Sequence, residues 1–234
     1  MKPRKRTRFA VISILSIACS VSAFAGTYST AAINTLSKKI AKRAPNMSPE
    51  ALKLGLRAYD HARMQGLDKQ RLLTIVDFTK PSYDKRIWVI NLNNDRIDYH
   101  TFVSQGTGSG GVYAKHFSNK PGTDTSSLGV YLTGMEYAGK HPDSMKLHGL
   151  DKGFNNNAYR REIVMHPAAY AGRAFIRRYG YLGRSWGCFA INTRVEPSVV
   201  KTIKNGTIIF AYYPDKKLEK DSAYLQPLTS TSKT

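Results

Sequence analysis

A mainly β fold with peripheral helices, a β-sandwich or partly open barrel with a short N-terminal helical segment, is what this sequence predicts. Three observations carry the prediction. From Arg86 onward the apolar residues fall in short runs bounded by Gly, Pro, Asn and Ser, the mark of strands rather than helices. Asn93-Asn94-Asp95 separates two such runs as a hairpin turn does. Helical spacing is confined to a few stretches between the runs. A chain of 234 residues, 41% hydrophobic and 11% aromatic, is long and apolar enough to bury one domain core.

The elements follow in order. Lys2, Arg4, Lys5, Arg6 and Arg8 precede an uncharged stretch, Phe9 to Ser22, and Ala23-Phe24-Ala25 is a small-x-small site. That is the layout of a secretory signal over 1–25, too short in its apolar part to span a bilayer. Export to the periplasm or cell envelope is the expectation, with further secretion left open. Residues 26–47 read as a polar, weakly ordered lead. Ser48-Pro49 is an N-cap and first-turn pair, Leu52, Leu56 and Tyr59 recur at helical spacing, and Gly66 closes a helix over Pro49–Gln65. Polar lead and helix together occupy 26–71.

The main domain spans 72–214. Leu72–Phe78 is apolar and strand-like, and Ile87–Ile90 and Ile97–Val103 form the hairpin. Residues 104–127, rich in Gly, Ser and Thr, read as a long loop of functional size. Gly129–Thr133, Ile163–Met165, Phe189–Ile191 and Thr207–Tyr213 are further strands. Ala168–Tyr179 and Pro197–Lys204 are helical, and 139–160 reads as loop. Residues 215–234 are polar and read as a flexible tail.

Charge and cysteine count narrow the chemistry. The chain carries a net charge of +20, and loss of the leader with its five basic and no acidic residues leaves +15. No nucleic-acid motif accompanies this charge, so no nucleic-acid partner is expected, and association with an anionic envelope surface is left open. Of the two cysteines, Cys19 departs with the leader, which leaves Cys188 as a single thiol in an oxidising compartment. One cysteine excludes the Cys-based zinc arrangements, and no histidine–carboxylate spacing resembles a zinc site. No metal or organic cofactor is expected.

Cys188 lies in Gly183-Arg184-Ser185-Trp186-Gly187-Cys188, a glycine-tight turn ahead of an apolar strand. Such a turn lets substrate approach the backbone and directs amide N–H groups at an oxyanion. A thiol nucleophile needs a base, and six histidines are available. His166 ends a strand before Cys188, with one helix between. His148, followed by Gly149, is the alternative base. His61 falls on the predicted helix, His100 in a strand, and His116 and His141 in loops.

Ser185-Trp186-Gly187-Cys188 with the strand-ending His166 resembles the catalytic signature of the L,D-transpeptidase (YkuD-type) family. That family's Ser/Thr-His-Gly-Cys pattern is matched at Ser185, Gly187 and Cys188, with Trp186 in place of the middle histidine. Gly-Arg-Ser-Trp-Gly-Cys is similar to a bacterial subgroup of murein L,D-transpeptidase domains. Ser126–Tyr131, Phe117-Ser118-Asn119 and Gly153-Phe154-Asn155 support the likeness, which runs from Leu72 to Pro214.

The resemblance implies Cys188 as nucleophile, His166 as base, and the Pro167 carbonyl orienting the imidazole, where the subgroup has Gly. It implies oxyanion or substrate contacts from Gly187, Ser185, Arg184 and Trp186; Ser185 is also readable as bonding the backbone, Arg184 as a surface or loop-stapling ion pair, and Trp186 as a packing residue. Tyr113, Tyr131 and Asn119 are further pocket candidates. The implied activity is acyl transfer on peptidoglycan stem tetrapeptides, forming diamino acid cross-links, by a monomer. Two alternatives stay open: an L,D-carboxypeptidase or endopeptidase passing the same thioester to water, and a non-catalytic wall-binding or host-contact protein.

Overall fold

The computed structural model describes residues 28–137 and 143–227. The expected secretory leader over 1–25, His141 and the last seven residues therefore lie outside the described residues. Eight strands form one sheet in the order β3-β2-β1-β8-β4-β5-β6-β7. They are β1 (Leu72–Asp77), β2 (Ile87–Asn91), β3 (Arg96–Thr101), β4 (Gly129–Tyr137), β5 (Ser144–Gly149), β6 (Val164–Pro167), β7 (Phe189–Ile191) and β8 (Ile208–Tyr212).

The chain leaving β3 turns the sheet toward closure. Ser104 N–H donates to Ala190 O at 2.9 Å, and Gly106 bridges Ser185 in parallel. The continuation of one edge strand thus pairs beside the other edge strand, β7. The result is the mainly β, nearly closed barrel with peripheral helices that the strand pattern predicts.

The helix read from Ser48-Pro49 is α2 (Pro49–Met64), following α1 (Thr30–Ala41). The Ser48 side chain accepts from Ala51 N–H at 3.4 Å, and Gly66 takes φ +72° just past the Gln65 cap. Leu52, Leu56, Tyr59 and Ala62 are buried along one stripe. A Cβ at Gly55 would come within 2.8 Å of Ile75 Cδ1, so the helix axis lies close over β1 and β8.

The structure departs from the sequence expectation in four places. Residues 26–47 contain α1, not a weakly ordered lead: Ile33 and Ile40 are buried, and Lys39 pairs with Asp95. Two apolar anchors among polar residues are too sparse a signal for periodicity to register. Within 139–160 lies β5, where Met145 and Leu147 face the core and Lys146 and His148 the opposite side. The expected helix 168–179 breaks at Gly172 into a 3-10 turn (Ala169–Ala171) and α3 (Arg173–Tyr179). A Cβ at Gly172 would strike Asn192 Nδ2 at 2.0 Å.

The fourth departure is the tail. Residues 215–227 pack on the domain through α5 (Lys216–Asp221), with Leu218 and Leu225 buried. Asp215 caps α5 by accepting from Lys217 and Leu218 N–H, and Ser222 Oγ donates to buried Asp151 at 2.5 Å. A tail counted as polar by composition is held by Leu218, Tyr224 and Leu225 in the core and by one buried carboxylate.

The remaining helix, α4 (Glu196–Ile203), carries a buried acid. Glu196 is 0% exposed and neither carboxylate oxygen has a hydrogen-bond partner. Burial first, then the charges of Asp143 and Glu136, push its carboxyl up to about 8. Glu136 is itself paired with Lys204. The folded state therefore holds this proton more tightly than the unfolded chain, whose glutamate titrates at about 4.3. Stability falls as pH rises through that window and levels above about 8. Glu196→Gln is expected to raise Tm by on the order of 5 °C at pH 8.5 and by little at pH 4.5. Thermal melts across that range check it, and an equal gain at both pH values contradicts it.

Candidate active site

The site is built where β6 passes through α3 into the parallel strand β7. Met165 pairs with Phe189, His166 with Ala190 and Pro167 with Ile191. One residue further back, this register sets Cys188 beside Val164, whose backbone N–H lies near enough to favour the thiolate. Register partners in a sheet point to the same face. Met165 and Phe189 face the core, so Val164, His166 and Cys188 face the other way. His166 and Cys188 line one cleft of about 810 Å³, together with Tyr170, Arg184, Trp186 and Lys146.

The turn that delivers the thiol depends on two residues. Gly187 has φ +119°, and a Cβ there would lie 2.7 Å from Thr125 O and 2.8 Å from Ile163 Cδ1. Ser185 Oγ accepts from Gly187 N–H at 3.1 Å and donates to Cys188 O at 2.8 Å. Of the two expectations for Ser185, backbone or substrate, these bonds are the backbone one, and the side chain is a buried staple of the turn. The Gly187 N–H, expected to meet an oxyanion, is occupied by that same hydroxyl. Ser185 is pinned in turn by its N–H to Gln105 O and by Thr107 N–H to its own carbonyl, which joins the turn to the start of the long loop.

His166 Nδ1 lies 2.9 Å from Pro167 O. Proline lacks a backbone N–H but keeps its carbonyl, so the contact expected of the residue after the histidine is made here through Nδ1. Tyr170 meets the imidazole edge-on, with ring centroids 6.5 Å apart. Burial and the nearby Cys188 push the Tyr170 phenol up to about 12.

Burial pushes the Cys188 thiol above its ordinary value. The Val164 N–H and the Arg161 charge pull the other way, and the Glu162 carboxylate adds to the rise. The thiol donates to Glu162 O at 3.5 Å. At neutral pH the sulfur is thus a protonated thiol that requires a base to become a nucleophile.

The other candidates fall as follows. Arg184 is exposed at the cleft, with Nη1 at 3.5 Å from Gly110 O. Trp186 is 77% exposed and forms the cleft rim rather than packing. His148 is exposed on β5 and stacks on Tyr159, centroids 5.0 Å apart, outside the residues that line the cleft. His61 meets Gln226 O, and His100 stacks on Trp88 and meets Lys85 O. Tyr131 is wholly buried and donates to Ser127 O, while Asn119 is bonded to Asn156 and Asn157. Neither Tyr131, Asn119 nor Tyr113 lines the cleft. Among the described residues no three His, Cys, Asp or Glu side chains cluster as metal ligands, and no helix is long and apolar enough to cross a membrane.

Arg161 is a site residue that no sequence signal marked. It donates to Ser118 O, Ser127 Oγ and Thr125 O, and so clamps the far end of the 104–127 loop beside the thiol. Arginine's planar fork of donors suits three acceptors at once. Nothing in Arg160-Arg161-Glu162 separates it from a surface charge run.

Among solved structures, the fold is similar to an L,D-transpeptidase from Mycobacterium smegmatis at 11% identity and a TM-score of 0.38, covering 61% of this chain and 59% of that one. It is similar to an L,D-transpeptidase from Stackebrandtia nassauensis at 13% identity and a TM-score of 0.38, covering 76% and 77%. It is also similar to the L,D-transpeptidase LdtMt1, solved in complex with imipenem, at 10% identity and a TM-score of 0.39, covering 61% and 59%. The aligned part thus spans about three-fifths of the first of these chains. No curated protein matches. The family model of the L,D-transpeptidase catalytic domain matches residues 43–212, well over half of the sequence, and the chain belongs to that family.

Proposed function

We propose that the protein is an exported murein L,D-transpeptidase that works through a thioester on Cys188. The observation that supports this reading is the placement of His166 and Cys188 on one face of adjacent strands, lining one cleft, with His166 Nδ1 tied to the Pro167 carbonyl. His166 Nε2 takes the thiol proton as sulfur adds to the carbonyl after the diamino acid of a stem tetrapeptide. The Cys188 N–H is the oxyanion donor in this scheme, because the Gly187 N–H is taken by Ser185. The carbon–nitrogen bond breaks, and D-alanine leaves with the proton from His166. The amine of a neighbouring stem then attacks the thioester. The carbon–sulfur bond breaks, and the thiol regains its proton.

Peptidoglycan stem peptides are the partner of this reading, and its setting is the periplasm or cell envelope, to which a cleaved 1–25 leader would deliver the chain. A carboxypeptidase or endopeptidase is the same chemistry with water as acceptor.

Incubation with purified muropeptides, read by mass spectrometry, tests the proposal. The expected result is loss of D-alanine together with dimer formation. Monomer trimming without dimers would reassign the protein to hydrolysis. A carbapenem is expected to add covalently to Cys188, and folded protein that forms neither adduct nor product rules out the enzyme.

A further inference from the structure

The cleft holds a cation that the proposed mechanism does not use. Lys146 on β5 pairs with Val164 on β6, and Val164 is the neighbour of Cys188. Lys146, Val164 and Cys188 therefore form one row across the sheet on one face, with about 10 Å, two strand spacings, between the outer Cα atoms. The ammonium is held by two aromatic rings. It lies 5.4 Å from the Tyr137 centroid and 5.1 Å from that of Tyr159, and donates to Tyr159 Oη at 3.3 Å. Among the described residues it has no carboxylate partner. Tyr137, Lys146 and Tyr159 all line the cleft of Cys188 and His166. An ammonium fixed by rings but left without a counter-ion, inside a reaction cleft, keeps its charge for an incoming anion.

The position of this cation relative to the reacting groups says which anion. Met145 pairs with Met165, so Lys146 and His166 both lie on the β5–β6 side of the nucleophile. His166 must hand its proton to the leaving amine, which puts the departing residue on that same side. Arg184 precedes the thiol in its own turn, where Ser185 bridges Gly106 and Arg184 Nη1 meets Gly110 O, on the flank away from β6. From these relations we infer that Lys146, held between Tyr137 and Tyr159, anchors a free carboxylate on the leaving residue of the acyl donor. The inference rests on the Cys188–His166 acyl-transfer reading. It makes the preferred donor a peptide cut before its last residue rather than one cut in its interior.

The test compares two substrates on the full chain: a stem tetrapeptide ending in D-alanine and the same peptide ending in D-alaninamide. Charge-assisted contacts of this kind predict a preference for the acid of about 10- to 100-fold in kcat/KM. Lys146→Met is expected to reduce the preference to within about threefold by lowering turnover of the acid alone, and Lys146→Arg to keep most of it. Lys201→Met, at an exposed position of α4, removes the same charge elsewhere and should leave the preference intact. An equal loss on both substrates in Lys146→Met would mean a structural role and overturn the anchor.

A second measurement needs only the thiol. Alkylation of Cys188 by iodoacetate, which carries a carboxylate, is compared with alkylation by neutral iodoacetamide, mapped by peptide mass. The iodoacetate-to-iodoacetamide rate ratio is expected to fall severalfold in Lys146→Met. An unchanged ratio overturns the anchor even if wild-type turnover is found. Absence of turnover in the wild type, or turnover that survives Cys188→Ala, would instead sink the acyl-transfer reading beneath it.

Discussion

Cys188→Ala is expected to abolish D-alanine release and dimer formation, a loss of at least ~10⁴-fold, and to eliminate the covalent carbapenem adduct. The size of the effect follows from the absence of a substitute. Cys188 is the free cysteine of the described residues, and no serine in the turn can replace it, because the Ser185 hydroxyl is bonded at both ends to the backbone. The substitution is also structurally mild. Cys188 is half-buried, its backbone carbonyl still accepts from Ser185, and the neighbouring Phe189 keeps its core position. Folding should therefore survive, and near-UV circular dichroism beside the muropeptide assay separates lost chemistry from lost structure. Retained wall binding and a retained biological effect in Cys188→Ala would favour the non-catalytic binding protein.

His166→Ala is expected to slow Cys188 acylation by about 10²- to 10⁴-fold, while His148→Ala leaves it within about twofold. The pH dependence carries the diagnosis. Burial holds the Cys188 thiol above its ordinary value, so little thiolate exists at neutral pH without a base. With His166 gone, acylation must wait for spontaneous ionisation. Its rate then rises with pH up to the elevated thiol pKa, and the deficit against wild type shrinks in alkali. A purely structural defect would give a deficit that does not depend on pH. Carbapenem acylation followed by mass spectrometry between pH 6 and 10 distinguishes the two. If His148→Ala caused the larger, pH-dependent loss, the base would be reassigned.

The β-rich architecture was legible because its strands alternate with strong punctuation. Asn93-Asn94-Asp95 announced the hairpin, and the Ser48-Pro49 start with Gly66 at the end bracketed α2 to within a residue. What escaped was marginal by local criteria and stabilised at long range. Strand β5 is a six-residue element whose alternation is carried by Met145 and Leu147 alone. Helix α5 is secured by an Asp151–Ser222 hydrogen bond that spans 71 positions in sequence. Helix α1 leans on the hairpin through Lys39 and Asp95. No sequence window contains both halves of such a contact.

The site divides along the same line. Local sequence determined the turn chemistry: a glycine that must take a positive φ before Cys188, a strand-ending histidine, and a carbonyl after it that proline does not remove. These are properties of neighbours in the chain, and backbone sterics make them readable without coordinates. The use of each hydroxyl and amide was decided by tertiary structure. Ser185 turned out to staple its own turn, Trp186 stands open at the rim, and Arg161 reaches across to clamp a loop. Lys146 enters the cleft because β5, β6 and β7 lie side by side in one register. The chain order of these residues says nothing of that row, since strand pairing is a long-range choice made by the burial of the opposite face.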